Sequence, residues 1–218
     1  MQYKFLVEAS GGLTSGYLIK AIQNAGHICA ASDINSRCFG KDLADDFILM
    51  PKHDESGLWD KITDKIVENK IDIVIPSLDE TLLGWSERKD EYNQAHGIQV
   101  ILSAPNTINI FQDKFLTYEF FCNNQIPSPL TSVKQEYPLI KPRFGRGSSG
   151  IFLSDNTVNM EGMISQEFIE GNEYTIDVLC DISHSPVYII PRRRLRVANG
   201  KSVDGITEFN QEIIDWVK

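Results

Sequence analysis

The sequence predicts an α/β fold in two parts, and two observations lead to this prediction. Over residues 1–104, short apolar runs alternate with amphipathic helical patterns, which is typical of a parallel sheet covered by helices on both faces. Beyond a turn-rich stretch at residues 103–106, one long helical pattern is followed mainly by strand patterns. We therefore expect a parallel-sheet domain at residues 1–104 and an α+β domain at residues 105–218.

Apolar runs and helical spacing place the elements of the first domain. One helix carries Leu18 and Ile22 on the same face and ends at Gly26, and a later helix carries Leu58 and Ile66. The apolar runs between the helical patterns predict strands at residues 5–7, 28–31, 47–50, 71–75 and 99–102.

A different pattern marks the second domain. A single helix of about five turns is predicted to run from Ile110 through Phe121 and to end near Asn124. A proline-containing linker at residues 126–129 follows, and strand patterns dominate from there. These features predict an α+β second domain.

Composition excludes several classes of protein. The chain has 218 residues, 42% hydrophobic and 23% charged, as in ordinary globular proteins, and its net charge of -9 argues against a nucleic-acid or anionic-membrane surface. It begins with a strand pattern rather than a signal peptide, and no apolar run reaches membrane-spanning length. We therefore expect a cytoplasmic protein that binds neither nucleic acid nor membranes.

The cysteines are scattered along the chain, without a C-x-x-C pair and without histidines at metal-ligand spacing. This pattern predicts free thiols in a reducing compartment and argues against a zinc site. The cysteines are Cys29, Cys38, Cys122 and Cys180.

The stretch from Lys141 to Gly150 is the main candidate for a binding loop. Lys141 ends an apolar strand and leads into a loop with three glycines, two serines and the cations Arg143 and Arg146. Glycine lets backbone N–H groups approach phosphate oxygens without an intervening side chain. The alternative is a flexible hairpin tip that happens to be basic.

Two later strands carry charged residues in alternation. Around residues 173–178, Glu173 and Asp177 share one face of a strand, where they could line a cleft, although a half-exposed strand explains the pattern equally well. Farther on, Arg192, Arg194 and Arg196 share a face. Like charges at this spacing favour a bound anion, and acidic neighbours are the alternative.

Two motifs in the first domain have open interpretations. Residues 10–16 form a glycine-rich turn after a strand, with Asp33 ending the next strand, as in a dinucleotide fingerprint, but the glycine spacing departs from G-x-G-x-x-G. A tight turn is the favoured interpretation. Asp79 and Glu80 follow a strand, where they could face a substrate or support a helix N-terminus.

Taken together, these residues resemble the ATP-grasp superfamily, most closely the carbamoyl-phosphate-synthase-like carboxylate ligases. The resemblance covers nearly the whole chain and rests on the order and spacing of its parts. Those parts are a degenerate Rossmann-like first domain, residues 112–114, residues 141–150, residues 166–170, Glu173 with Tyr174, and the arginine strand followed by residues 200–202. The resemblance implies a pre-ATP-grasp domain at residues 1–104. It also implies an incomplete ATP-grasp domain at residues 105–218, with a lid subdomain at about 113–165 and a larger subdomain beginning at residue 166.

The resemblance also implies roles for individual residues. Lys114 and Lys141 look like the lysines that reach the nucleotide phosphates, and Glu173 looks like the ribose-binding acid. Glu167 would accept the adenine amino group, while Phe168 and Ile169 would supply hinge backbone contacts, and Arg194 or Arg196 would offset charge on the transferred phosphoryl group. The closing loop would consist of Gly145, Arg146, Gly147, Ser148, Ser149 and Gly150.

The implied activity is ATP-dependent ligation of a small carboxylate to an amine or other nucleophile through an acyl phosphate. Members of the family hold Mg²⁺ through residues downstream of the arginine strand, and no acid of this chain matches those positions, so we assign no metal ligand. We expect a fragment of a longer ligase, inactive by itself, rather than a natural short form. A non-catalytic nucleotide-binding module and a Rossmann dinucleotide protein are alternatives, and a homo-oligomer is left open.

Overall fold

A computed structural model describes residues 1–198 and 200–218 of the chain, which divide into two compact units, Met1–Gln112 and Asp113–Lys218. The predicted boundary between residues 104 and 105 stays a prediction. Among the helices of the described residues, none is both long enough and apolar enough for a membrane crossing.

Unit 1 is a five-stranded parallel sheet with the strand order β3-β2-β1-β4-β5. This confirms the predicted parallel sheet. Its strands are β1 (Lys4–Val7), β2 (Ile28–Asp33), β3 (Asp46–Leu49), β4 (Ile73–Ile75) and β5 (Gln99–Val100). Its helices are α1 (Ser15–Asn24), α2 (Leu58–Glu68), α3 (Asp79–His96) and α4 (Pro105–Gln112), with a 3-10 helix at Phe39–Asp42.

Two apolar clusters lie in unit 1. The larger cluster includes Leu6 and Val74 together with Ile62 and Ile66 of α2 and Trp85 of α3. The other contains Val7, Cys29 and Ala31 from the strands with Ile19 and Ile22 of α1. The helix and strand faces predicted from periodicity therefore form the core of this unit.

Unit 2 contains two antiparallel sheets, with the orders β6-β9-β7-β8 and β10-β11-β12. Its helices are α5 (Lys114–Asn123) and α6 (Gln211–Val217). The first sheet contains β6 (Thr131–Ser132), β7 (Leu139–Pro142), β8 (Phe152–Leu153) and β9 (Met163–Gln166). The second contains β10 (Tyr174–Cys180), β11 (Pro186–Ala198) and β12 (Lys201–Thr207).

The long helix predicted across residues 110–121 is two helices in the structure. Asp113 lies between α4 and α5 in an extended conformation, with φ -99° and ψ 111°. Its carboxylate accepts hydrogen bonds from the backbone N–H groups of Phe115 and Leu116, at 2.9 and 3.2 Å. An N-cap of this kind begins a new helix, so the single-helix prediction was wrong at this point.

All four cysteines are free thiols, with Cys29 and Cys38 buried and Cys122 and Cys180 exposed. Burial, together with the charge of Asp45, raises the pKa of Cys29 to about 11. The Cys29 thiol is therefore protonated at neutral pH, which makes it a poor nucleophile.

Candidate functional site

The loop at residues 145–150 joins β7 to β8 and adopts an unusual backbone conformation. Left-handed φ angles occur at Gly145, Gly147, Ser148 and Gly150, with values of 106°, 69°, 57° and 71°. Glycine adopts these angles freely, whereas Ser148 does so against the steric preference of its β-carbon. Positive φ angles of this kind are typical of the backbone turns that form anion-binding nests.

Two lysines converge at the base of this loop. Lys141, on β7, donates from Nζ to Gln166 Oε1 at 2.6 Å, and Gln166 in turn donates to Thr131 Oγ1 at 2.8 Å. Lys114, the first residue of α5, donates from Nζ to the carbonyl oxygen of Gly145 at 2.9 Å. Burial first, and then the charge of Lys114, lowers the pKa of Lys141. A bound anion would relieve this repulsion.

An ion pair holds the start of α5 against the end of β7. Arg143 Nε donates to both carboxylate oxygens of Asp113 at 2.8 Å, and Asp113 is only 3% exposed. The carbonyl oxygen of Arg143 accepts from the backbone N–H of Lys114 at 3.1 Å. Arg143, which the sequence suggested as a loop cation, is therefore part of the frame that positions Lys114.

The predicted hinge, residues 166–170, connects β9 to β10. The backbone N–H of Glu167 donates to the carbonyl oxygen of Leu130 at 2.8 Å, and the Glu167 carboxylate accepts from the Leu130 N–H at 3.2 Å. The side chains of Phe168 and Ile169 are exposed. A carboxylate can accept several hydrogen bonds, so Glu167 retains capacity for another donor.

The arginine strand is paired with acids on both faces of its sheet. Arg194 forms an ion pair with Glu173, and Arg192 forms one with Asp177. On the other face, Arg193 lies 2.7 Å from Glu208, which also accepts from the hydroxyl of Tyr174 at 2.8 Å. Acidic neighbours, the alternative considered from the sequence, therefore accompany these three arginines.

Arg196 differs from the other arginines of this strand. The register of β11 against β12 shifts on both sides of Arg196, which interrupts the alternation that the sequence predicted for Arg192, Arg194 and Arg196. Arg196 is exposed, and within residues 1–198 and 200–218 it forms no ion pair.

In unit 1 the glycine-rich turn after β1 is held by its own neighbours. Asp33 accepts from the backbone N–H of Gly11 and of Asn35, both at 2.9 Å. A β-carbon on Gly11 would lie 2.9 Å from the Asp33 carboxylate, so glycine is needed for this contact. The acid expected to bind a ribose in a dinucleotide site thus closes the turn, in line with the favoured interpretation.

A cavity of about 440 Å³ lies beside this turn, and its lining is mostly apolar. A β-carbon on Gly16 would meet Phe39 at 3.0 Å and Leu43 at 3.1 Å, so the glycine keeps α1 close to the 3-10 helix. The lining residues are Gly11, Gly12, Leu13, Gly16, Tyr17, Lys20, Phe39 and Leu43.

Glu8 is a buried acid that the sequence patterns did not single out. It follows β1, next to β4, where the strand order reverses, and it is only 8% exposed. Its carboxylate accepts from the backbone N–H groups of Ser77 and Leu78, from Thr81 Oγ1 and from Trp85 Nε1, at 2.8 to 3.1 Å. Glu8 therefore fixes the N-terminal turn of α3.

Asp79 and Glu80 lie in that first turn of α3, where acids interact favourably with the helix dipole. The structure thus places them at a helix N-terminus that also follows the carboxyl end of β4. The helix N-terminus interpretation is therefore confirmed, and a substrate-facing role stays a prediction.

The described ranges, 1–198 and 200–218, bring together no cluster of three or more His, Cys, Asp or Glu side chains suited to a metal ion.

Sequence reasoning included Asp113, Gln166 and Gly200 in its motifs but assigned no individual role to these three residues. Asp113 carried a readable signal, since an acid directly before an apolar helical stretch is a common N-cap. Gln166 and Gly200 carried none, because their roles depend on the side chains and loops that the fold brings to them.

Fold and site together define an α/β protein whose second unit holds lysines beneath a glycine-rich loop. Residues 111–218, about half of the chain, match the ATP-grasp domain. A carbamoyl-phosphate synthase from Methanobrevibacter smithii is 23% identical over 168 residues, which cover 68% of this chain and 44% of that protein. The chain belongs to the ATP-grasp family.

Solved structures of similar fold include a ligase and a synthetase. The L-amino acid ligase from Bacillus licheniformis matches with a TM-score of 0.71 and 14% identity, covering 99% of this chain and 58% of that one. The N5-carboxyaminoimidazole synthetase from Staphylococcus aureus, solved in complex with ADP, matches with a TM-score of 0.67 and 13% identity, covering 99% and 61%. This chain thus spans roughly half the length of these relatives.

Proposed function

We propose that the chain binds ATP in unit 2 and is part of an ATP-dependent ligase that joins a small carboxylate to an amine or another nucleophile. The observation that carries this proposal is the convergence of Lys114 and Lys141 beneath the loop at residues 145–150. Two like charges beside a glycine-rich loop with positive φ angles favour a polyphosphate. The ligases of similar fold support the same activity class.

Different residues of unit 2 would bind the phosphates, the adenine and the ribose of the nucleotide. Lys114, Lys141 and the loop at residues 145–150 would bind the phosphates, and the hinge at Glu167–Ile169 would bind the adenine. Glu173 is 60% exposed at its side chain and would bind the ribose hydroxyls. Arg196 is exposed on β11 and is the better placed of the two arginines to meet a phosphoryl group, since Arg194 already binds Glu173.

The proposed reaction has two steps. A carboxylate oxygen of the substrate attacks the γ-phosphorus of ATP, the bond from that phosphorus to the β–γ bridging oxygen breaks, and ADP and an acyl phosphate result. The nucleophile then attacks the acyl carbon, loses a proton and displaces inorganic phosphate. Cations around the phosphates stabilise the charge that develops on the transferred group. A cytoplasmic location and a homo-oligomer stay predictions.

Replacing Lys141 with Ala is expected to weaken ATP binding about 100-fold, because the half-buried ammonium would make charge-assisted contacts to phosphate oxygens. Isothermal titration calorimetry of the wild type and the variant measures this difference. Lys134→Ala, at an exposed lysine of the same unit, is the matched control and should bind like the wild type. Wild-type affinity in Lys141→Ala would refute the proposed phosphate site.

Turnover separates the ligase from a nucleotide-binding module. A ligase releases ADP only when a carboxylate is added, and hydroxylamine traps its acyl phosphate as a hydroxamate. Sustained ADP release by the 218-residue chain with any carboxylate would therefore refute the non-catalytic module, whereas a ligase fragment that is inactive by itself would bind ATP and release no ADP.

ATP binding is also expected to depend on pH through Lys141. Burial and the neighbouring Lys114 lower its pKa from 10.5, so the ammonium loses its proton at a lower pH than an ordinary lysine does. Since the protonated form binds phosphate, ATP affinity should fall as the pH rises through this lowered pKa. Calorimetry between about pH 7 and pH 10 tests this, with Lys141→Arg as the control because arginine stays charged throughout. Parallel profiles for the two proteins would contradict the assignment.

A further inference from the structure

Gly200, in the turn between β11 and β12, lies directly against the candidate phosphate loop at residues 145–150. A β-carbon built on Gly200 would lie 2.7 Å from Ser148 Oγ, 2.8 Å from the carbonyl carbon of Gly147 and 2.9 Å from the backbone nitrogen of Ser148. Real β-carbons do not approach other atoms so closely. The loop and the turn therefore meet backbone to backbone, and only glycine at position 200 permits this contact.

Arg194 connects the same turn to the candidate ribose acid. Its Nη2 donates to the carbonyl oxygen of Gly200 at 2.8 Å, while its Nη1 forms the ion pair with Glu173. The backbone N–H of Arg194 also donates to the carbonyl oxygen of Glu173 at 2.8 Å. One guanidinium thus bridges Glu173 and the surface on which the loop rests.

One donor of the Arg194 guanidinium makes no hydrogen bond among the described residues. Its Nε is buried and lacks a hydrogen-bond partner among the described residues, and its side chain is only 14% exposed. A buried donor without an acceptor is unfavourable. The missing hydrogen bond lowers the cost of moving the guanidinium when a ligand competes for Glu173. The side chain of Glu173 is 60% exposed, so a ligand can reach it.

We propose that Arg194 and Gly200 are positioning residues that couple the Glu173 carboxylate to the placement of the phosphate loop. Without a nucleotide, the ion pair to Glu173 holds Arg194, and Arg194 holds the Gly200 turn beneath Gly147 and Ser148. Ribose hydroxyls that bind Glu173 weaken this ion pair and free the turn and the loop to shift together. The ligand part of this coupling rests on the proposed function, whereas the loop contact does not.

The loop contact is tested by trypsin cleavage after Arg146, an exposed loop residue, followed by mass spectrometry of the 218-residue chain. Cleavage after Lys134, exposed elsewhere in the same unit, serves as the internal reference. Gly200→Ala should raise the ratio of the two rates about fivefold without nucleotide, because cleavage follows the population of the displaced loop. Gly162→Ala is the matched control, since Gly162 has φ 68° and a β-carbon there would meet no atom within 4 Å, whereas Gly200 has φ 70°. Equal ratios in the two variants would overturn the proposal.

A second pair of variants tests the role of Arg194. Glu173→Gln removes the charge that pairs with Arg194, and Asp177→Asn removes the charge that pairs with Arg192, on the same face of the same sheet. Glu173→Gln should raise the cleavage ratio without nucleotide, and Asp177→Asn should leave it unchanged. Equal effects of the two variants would show that Arg194 does not position the loop.

Saturating ATP should change the cleavage ratio of the wild type, and this change should be lost in Glu173→Gln at concentrations where calorimetry shows full binding. A ratio that responds to ATP equally in both proteins would overturn the coupling. If calorimetry shows no ATP binding by the wild type, the proposed function fails, while the nucleotide-free comparison still decides whether Gly200 and Arg194 hold the loop.

Discussion

Replacing Glu8 with Gln is expected to lower the free energy of unfolding of unit 1 by about 3 kcal/mol, because the four partners of its carboxylate are all donors. One oxygen accepts from the Ser77 and Leu78 amides, and the other accepts from Thr81 and Trp85. A glutamine would place an NH₂ group against two of these donors. It would also remove a negative charge from the N-terminus of α3.

Urea unfolding followed by tryptophan fluorescence measures this effect. Trp59 and Trp85 report on unit 1, and a Trp216→Phe background removes the signal of unit 2. Glu68→Gln, at an exposed position of α2, is the control and should unfold like the parent protein. An unchanged urea midpoint of unfolding in Glu8→Gln would show that this carboxylate does not stabilise the junction between β1, β4 and the start of α3.

Replacing Asp113 with Ala is expected to destabilise unit 2 by about 3 kcal/mol, because it removes a helix N-cap and leaves Arg143 without its acid. Asp113→Ser should cost less, since serine caps a helix but carries no charge. The difference in unfolding free energy between the two variants therefore gives the contribution of the helix cap apart from that of the ion pair with Arg143. Because Arg143 also accepts from Lys114, both variants should weaken ATP binding.

This contribution has a defined pH dependence. Burial alone would raise the pKa of Asp113, but hydrogen bonds from Arg143 and from the Leu116 and Phe115 amides outweigh burial, and the pKa is lowered. The stabilisation is therefore complete above the ordinary aspartate pKa of 3.8 and is lost as the pH falls through the lowered value. Denaturant unfolding at neutral and acidic pH, followed by circular dichroism, should show the gap between wild type and Asp113→Ala closing in acid. Asp155→Ala, at an exposed acid of unit 2, should show no such gap.

Periodicity predicted much of the fold because it reports how each segment divides between core and solvent. Ile62 and Ile66 repeat at helical spacing, and both lie in the core of unit 1 as expected. The break at Asp113 was missed because apolar residues continue at helical spacing on both sides of it. Only the side chain's contacts with the following amides, and with Arg143, show where one helix ends and the next begins.

The candidate site was likewise predicted from the sequence only in part. The order of Lys114, Lys141, the glycine loop and Glu173 was readable along the chain, and it led to the ATP-grasp family that the comparisons confirm. The sequence did not show which groups the arginines of β11 pair with. Whether Arg194 meets a phosphate or an acid depends on which strand pairs with β11 and in what register, and register brings Glu173 to it.

The sequence by itself determined the fold class and the chemical character of the loop, since hydrophobic spacing and glycine content act locally and are written in consecutive residues. Only the tertiary structure decided that Glu8 supports α3, that Arg143 is structural, and that Gly200 meets Gly147 and Ser148. Each of these contacts joins residues far apart in the chain. Their geometry follows from strand order and packing, which no local pattern encodes.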